Sequence, residues 1–155
     1  MKRIVTEAPV LAYYDPKVAL TIQCDASSEG LGAALLQQGK PVAYASRALT
    51  DTEQRYAQIE KEMLAIVFSL EKFHQYTYGR RTEIHTDHKP LEAIVKKTLA
   101  KAPKRLQGML LRAQKYDIDV VYLKGKHMYI ADMLSRSYMS TEKKPSNRIR
   151  ACQHG

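Results

Sequence analysis

Tyr56, Ile59, Met63, Ile66, Leu70 and Phe73 recur at intervals of three and four, so one apolar face runs along a helix. The spacing predicts a single helix from about Asp51 to Gln75, stopping near Gly79. Thr50-Asp51-Thr52-Glu53 opens it as a capping box, a Thr hydroxyl with a Glu three residues on. Upstream the pattern changes. Ala19–Cys24 (ALTIQC) is apolar and β-branched and reads as a strand ending at Asp25. Ser27, Ser28 and Gly30 are turn residues. Leu31–Gln37 is a second strand, Gln38-Gly39-Lys40 a hairpin connection, and Pro41–Ser46 a third strand. After the long helix, Thr82–Thr86 is a strand ending at Asp87. Pro90–Val95 is a short helix. Pro103 starts another, with Leu106, Met109, Leu110 and Ala113 on its face. Ile118–Leu123 is a strand, Gly125 turns the chain, and Tyr129–Ser135 is a last short helix.

This order, β-β-β-α-β-α-α-β-α, predicts an α/β fold. Three meandering strands followed by right-handed parallel crossovers make a mixed five-stranded sheet flanked by helices. Residues 1–16 read as an entry arm, 17–138 as one domain, and 139–155 as a basic, disordered tail. A chain of 155 residues, 45% apolar, has the size and composition for one core. No apolar run approaches the ~20 residues that span a bilayer, and Met1-Lys2-Arg3-Ile4 does not read as a secretory signal. The two cysteines, Cys24 and Cys152, cannot form a disulfide framework and point to a reducing compartment.

The formal net charge is +9, and it is unevenly placed. Residues 1–87 carry 10 basic and 11 acidic side chains, whereas 88–155 carry 15 and 5. A cationic half of this kind attracts polyphosphate by releasing condensed counterions. The densest part is 96–105, with Lys96, Lys97, Lys101, Lys104 and Arg105. A solvated basic surface is the plainer reading of the same residues.

Four carboxylates stand out. Asp25 and Asp87 end strands, where ligands sit in sheets of this kind. Glu62 lies on the rim of the long helix's apolar stripe, and Asp132 opens the last helix. Taken singly, each has an ordinary role as turn former, solvated helix acid or dipole partner. Gathered at one edge, they would repel each other unless cations sat among them. Hard oxygen donors then select Mg²⁺ or Mn²⁺ and suit two-metal phosphodiester hydrolysis. Spacing alone does not establish that they converge.

The segments TIQCDASSEGLGAALLQ, SRALTDTEQRYAQIEKEMLAIVFSL, IHTDHKPL and VVYLKGKHMYIADMLSR are similar to the ribonuclease H domain of reverse transcriptases from gypsy-class long-terminal-repeat retrotransposons. The likeness runs from about Ala8 to Arg136, with several motifs in order. It implies the ribonuclease H-like fold and a metal-dependent endonuclease that hydrolyses the RNA strand of RNA–DNA hybrids during reverse transcription. The implied products carry 5′-phosphate and 3′-hydroxyl ends. It implies two Mg²⁺ or Mn²⁺ ions held by Asp25, Glu62, Asp87 and Asp132, with Glu60 the competing assignment on the helix. It also places Tyr122 where gypsy-class enzymes tend to carry Tyr, whereas cellular members carry a loop His before the last Asp that helps product release or proton transfer. Tyr122 is expected to tune turnover, the plainer reading being an edge-strand aromatic packed on a helix. His127 lies nearer to Asp132 but at a variable position. Lys124 and Met128 stand where the family often has Pro and Asn, which bears on this loop and not on the ligands. Lys96, Lys97, Lys101, Lys104 and Arg105 become the hybrid-binding cations. The implied partners are the RNA–DNA hybrid and an upstream polymerase portion of one polyprotein, with no membrane and no small-molecule cofactor. The implied place is a cytoplasmic retrotransposon particle, or the nucleus. The rivals are a catalytically weak or domesticated hybrid-binding module and a related recombinase-type nuclease core. Recombinase cores carry a different acid spacing.

Other residues take plainer roles. His85 alternates with Asp87, but oxygen-only ligation suits phosphate chemistry better than imidazole, and His88 reads as a capping loop residue. Cys24 reads as a small core residue. Tyr56, Tyr76 and Tyr78 could touch nucleic acid, though the period of Tyr56 favours core packing. There is no nucleophile elbow, Ser-His-Asp order or Gly-rich phosphate loop.

Overall fold

The computed structural model describes residues 11–96 and 102–124. The β-branched and small residues of the first half form a meander: β1 (Leu20–Ala26), β2 (Gly30–Gln37) and β3 (Lys40–Ala48). β1 pairs antiparallel with β2, and β2 with β3. Every position of β2 is buried, which its Gly and Ala residues permit by letting neighbours approach closely. The β2–β3 turn takes positive φ at both central residues, Gln38 (55°) and Gly39 (75°). That is the geometry matching the right-handed twist of the strands it joins.

The crossovers follow. α1 (Asp51–Gln54), α2 (Gln58–Lys72) and α3 (His74–Thr77) lead to β4 (Arg81–Thr86). α4 (Lys89–Lys96) and α5 (Lys104–Ala113) lead to β5 (Asp117–Tyr122). β4 is parallel to both β1 and β5, and the sheet order is β3-β2-β1-β4-β5. This is the mixed five-stranded sheet expected from the pattern. The last helix expected, Tyr129–Ser135, lies outside the described residues.

One expectation fails. The chain from Asp51 to Gln75 is three helical pieces, not one helix. The capping box at Thr50 forms as expected, with Thr50 Oγ1 accepting from Glu53 N–H at 3.1 Å and Glu53 Oε1 from Thr50 N–H at 2.9 Å. Ala57 then leaves helical geometry with ψ of 156°, and its N–H donates to Glu60 Oε1 at 3.0 Å, so a second helix start is stabilised. Phe73 breaks the helix again before α3, and Gly79 (φ 82°) ends the segment. Tyr56 therefore sits in a linker rather than on a helical stripe.

α2 packs on the sheet through Met63, Ile66, Val67 and Leu70, all at most 1% exposed. They meet Leu20, Ile22 and Ile84 in the core, and α5 adds Leu106, Met109, Leu110 and Ala113. Truncating one such Leu to Ala costs about 2–5 kcal/mol. Ion pairs tie α2 to α5 at both ends, Glu60 to Arg105 and Glu71 to Arg112. Among the described residues no helix is long and apolar enough to cross a membrane.

Candidate metal centre

β1 and β4 lie side by side and run the same way, so their C-terminal ends reach one edge of the sheet. Asp25 is the second-last residue of β1, and Asp87 follows β4 directly. Opposite Asp25 stands Gly32, which puts no side chain beside the carboxylate. α2 crosses behind this edge and supplies Glu62 from its first turns. One oxygen from each of Asp25, Glu62 and Asp87 lies within 4.8 Å of the others. Asp25 and Glu62 are buried, at 7% and 4% exposure, and Asp87 is half-buried.

The electrostatics of this group are unfavourable as it stands. At such separations two charges repel by about 3 kcal/mol with an effective dielectric of ~20. Burial, then the Asp25 charge, raise the Glu62 carboxyl from its ordinary 4.5 to about 8, and Asp87 adds to the rise. A hydrogen bond from Gln58 and one from the Ala26 backbone oppose it. The amide Nε2 of Gln58 donates to Glu62 Oε2 at 2.7 Å. A divalent cation among the three oxygens removes the repulsion. Among the described residues the donor set is all carboxylate, and such a set fits Mg²⁺ or Mn²⁺. The residues present therefore fit the ions that the sequence reading expects.

Glu60, the competing acid on the helix, is committed elsewhere. It caps Ala57 and pairs with Arg105 at 3.0 Å. Cys24 is buried behind the site, as expected. Burial and the neighbouring Glu62 and Asp25 charges push its thiol well above its ordinary value, so it stays protonated. His88 takes the loop role expected of it: its N–H donates to Thr86 Oγ1, and its carbonyl accepts from Leu91 N–H at the start of α4.

Tyr122 closes β5 opposite Thr86, the residue before Asp87. The Lys89 ammonium lies 5.1 Å from the centre of its ring, and its N–H makes a long contact of 3.4 Å to Glu92 Oε2. Lys96 and Lys104 are exposed at the ends of α4 and α5. Arg105 is turned back onto the protein, its guanidinium on Glu60 and 4.3 Å from the centre of the Tyr56 ring. Asp132, Lys97, Lys101 and His127 lie outside the described residues. The sequence reading missed Gln58. Its signal was the four-residue spacing to Glu62, which puts the two side chains on one helical face.

A family model described as the RNase H-like domain found in reverse transcriptase matches residues 15–116. The Retrovirus-related Pol polyprotein from transposon 297 of Drosophila melanogaster is 37% identical over 136 residues, 88% of this chain and 13% of that protein. The corresponding polyprotein from transposon gypsy of the same species is 37% identical over 142 residues, again 88% of this chain and 13% of that protein. The chain thus spans only 13% of the length of these curated relatives. Among solved structures, the foamy viral protease-reverse transcriptase in complex with RNA/DNA hybrid is similar with a TM-score of 0.63 and 25% identity, covering 77% of this chain and 17% of that one. RNase H1 from the halophilic archaeon Halobacterium salinarum is similar with a TM-score of 0.65 and 18% identity, covering 79% of this chain and 98% of that one.

Proposed function

The chain belongs to the RNase H-like domains found in reverse transcriptase, and from that membership and the acidic cluster we propose that it cuts the RNA strand of RNA–DNA hybrids. The observation that carries this reading is the meeting of Asp25, Glu62 and Asp87 oxygens within 4.8 Å at one sheet edge. Three elements far apart in sequence deliver three acids to one point, and burial makes that arrangement unfavourable without a cation.

Asp25, Glu62 and Asp87 hold two Mg²⁺ or Mn²⁺ ions, with Asp132 as the fourth acid by its match to the family motif. Bound there, the ions supply a water of lowered pKa and charge stabilisation for phosphodiester hydrolysis. The protein's own part is to keep the carboxylates facing one another and dry on the core side, where Cys24 and α2 exclude solvent. Tyr122 lies outside the cluster and serves turnover through its hydroxyl, since a phenol with pKa of about 10 is a poor Mg²⁺ ligand at neutral pH. The products carry 5′-phosphate and 3′-hydroxyl ends.

The hybrid is read by shape and 2′-hydroxyls rather than by base sequence. Lys96, Lys97, Lys101 and Lys104 contribute phosphate contacts, and Arg105 adds to them from its place on Tyr56 and Glu60. The domain works beside an upstream polymerase portion of a Pol polyprotein, in a retrotransposon particle in the cytoplasm or in the nucleus. It needs no small-molecule cofactor.

The test is incubation with a hybrid labelled on either strand, in Mg²⁺, in Mn²⁺ and in EDTA. Metal-dependent cutting of the RNA strand alone is expected, with ends that a ligase requiring 5′-phosphate accepts. Cutting of the DNA strand, or equal cutting in EDTA, overturns the proposal.

A further inference from the structure

Glu62 is buried and faces the oxygens of Asp25 and Asp87, and a cation among them needs its carboxylate correctly turned. Gln58 is placed to meet that need. It is the first residue of α2, one turn before Glu62, and its Nε2 donates to Glu62 Oε2 at 2.7 Å. Its own position is set by contacts on both sides. The adjacent Ala57 N–H is held by Glu60 Oε1 at 3.0 Å. Glu60 is in turn gripped by Arg105, whose guanidinium lies over Tyr56. The start of α2 is thereby tied to α5, and the Gln58 backbone with it.

A carboxamide suits this place. It donates to an anion without adding a charge that would compete with a cation. We propose that Gln58 is a positioning residue for metal binding, holding the Glu62 carboxylate in the rotamer that faces Asp25 and Asp87. This rests on the metal reading of the cluster given above. A plain surface pair four residues apart on a helix would instead affect helix stability slightly and metal affinity not at all.

The experiment is Mn²⁺ titration by calorimetry at one fixed pH, without nucleic acid, for the unmodified protein, Gln58→Ala and Gln58→Asn. The shorter Asn keeps the amide but falls short of Glu62 across a helical turn. Both variants are expected to bind Mn²⁺ about tenfold more weakly. Their melting temperatures in EDTA are expected to stay within about 2 °C of the unmodified protein. Equal Mn²⁺ affinity in all three proteins overturns the role of Gln58. Failure of the unmodified protein to bind Mn²⁺ overturns the metal reading beneath it.

Discussion

Arg105 on α5 reaches Glu60 in the first turn of α2 at 3.0 Å, two residues before Glu62 joins the acidic cluster. The two acids are neighbours in sequence with opposite employment. Glu60 is a structural cap facing a cation, and Glu62 is a buried acid facing other acids.

That division gives a direct comparison. Glu60→Gln keeps an oxygen to cap Ala57 and loses only a partly exposed ion pair, worth less than about 1 kcal/mol. Hybrid cleavage is expected to stay within about threefold of the unmodified rate. Glu62→Gln is expected to lower it more than about a hundredfold with the fold intact. Single-turnover rates and circular dichroism on both variants check this, and the opposite ranking would reassign the helix ligand to Glu60.

The raised Glu62 carboxyl makes the metal-free protein sensitive to pH. Unfolded, the group ionises near its ordinary 4.5; folded, it holds its proton until about 8. Between those values the folded chain binds more protons, so stability falls as pH rises through that window and levels off above it. Below 4.5 both states are protonated and the contribution is constant. The loss is on the order of a few kcal/mol. Melting curves in EDTA are expected to show this decline, Glu62→Gln to lack it, and Mg²⁺ to offset it at the alkaline end. A decline of equal size in Glu62→Gln would assign it to other groups.

Gly108 lies on the exposed side of α5, and a Cβ there would meet nothing within 4 Å. Gly108→Ala therefore gains helix propensity without a clash, about 0.5–1 kcal/mol. The melting temperature is expected to rise by about 2–4 °C. A fall would mean that something packs against this face.

Tyr122→Phe removes one hydroxyl and keeps the ring beneath Lys89. The cleavage rate at saturating Mg²⁺ is expected to fall about tenfold, the worth of one hydrogen bond to a charged group. Melting temperature and Mn²⁺ affinity are expected to hold. An unchanged rate leaves Tyr122 as a packing residue at the end of β5.

Much of this fold was legible in residue periodicity. Leu106, Met109, Leu110 and Ala113 repeat on one face and are buried together, and the Gln38-Gly39 turn sits where the hairpin was read. The break at Ala57 was not legible, because the Tyr56–Ile59–Met63 spacing mimics an unbroken stripe. The Glu60 carboxylate that caps the second helix start is also held by Arg105 on another helix, 45 positions away. The meeting of Asp25, Glu62 and Asp87 likewise depends on β1 lying next to β4, which spacing along the chain does not encode. Family resemblance pointed to those acids where local pattern could not.

Asp87→Asn tests most directly whether Asp25, Glu62 and Asp87 serve cleavage of RNA in a hybrid. Asn keeps the shape just after β4 and removes the charge proposed to bind metal. On a hybrid with labelled RNA in Mg²⁺, cleavage is expected to drop more than about a hundredfold. Circular dichroism is expected to be unchanged, and the melting temperature equal or higher as repulsion with Asp25 and Glu62 is relieved. Cleavage within about tenfold of the unmodified protein would contradict the account.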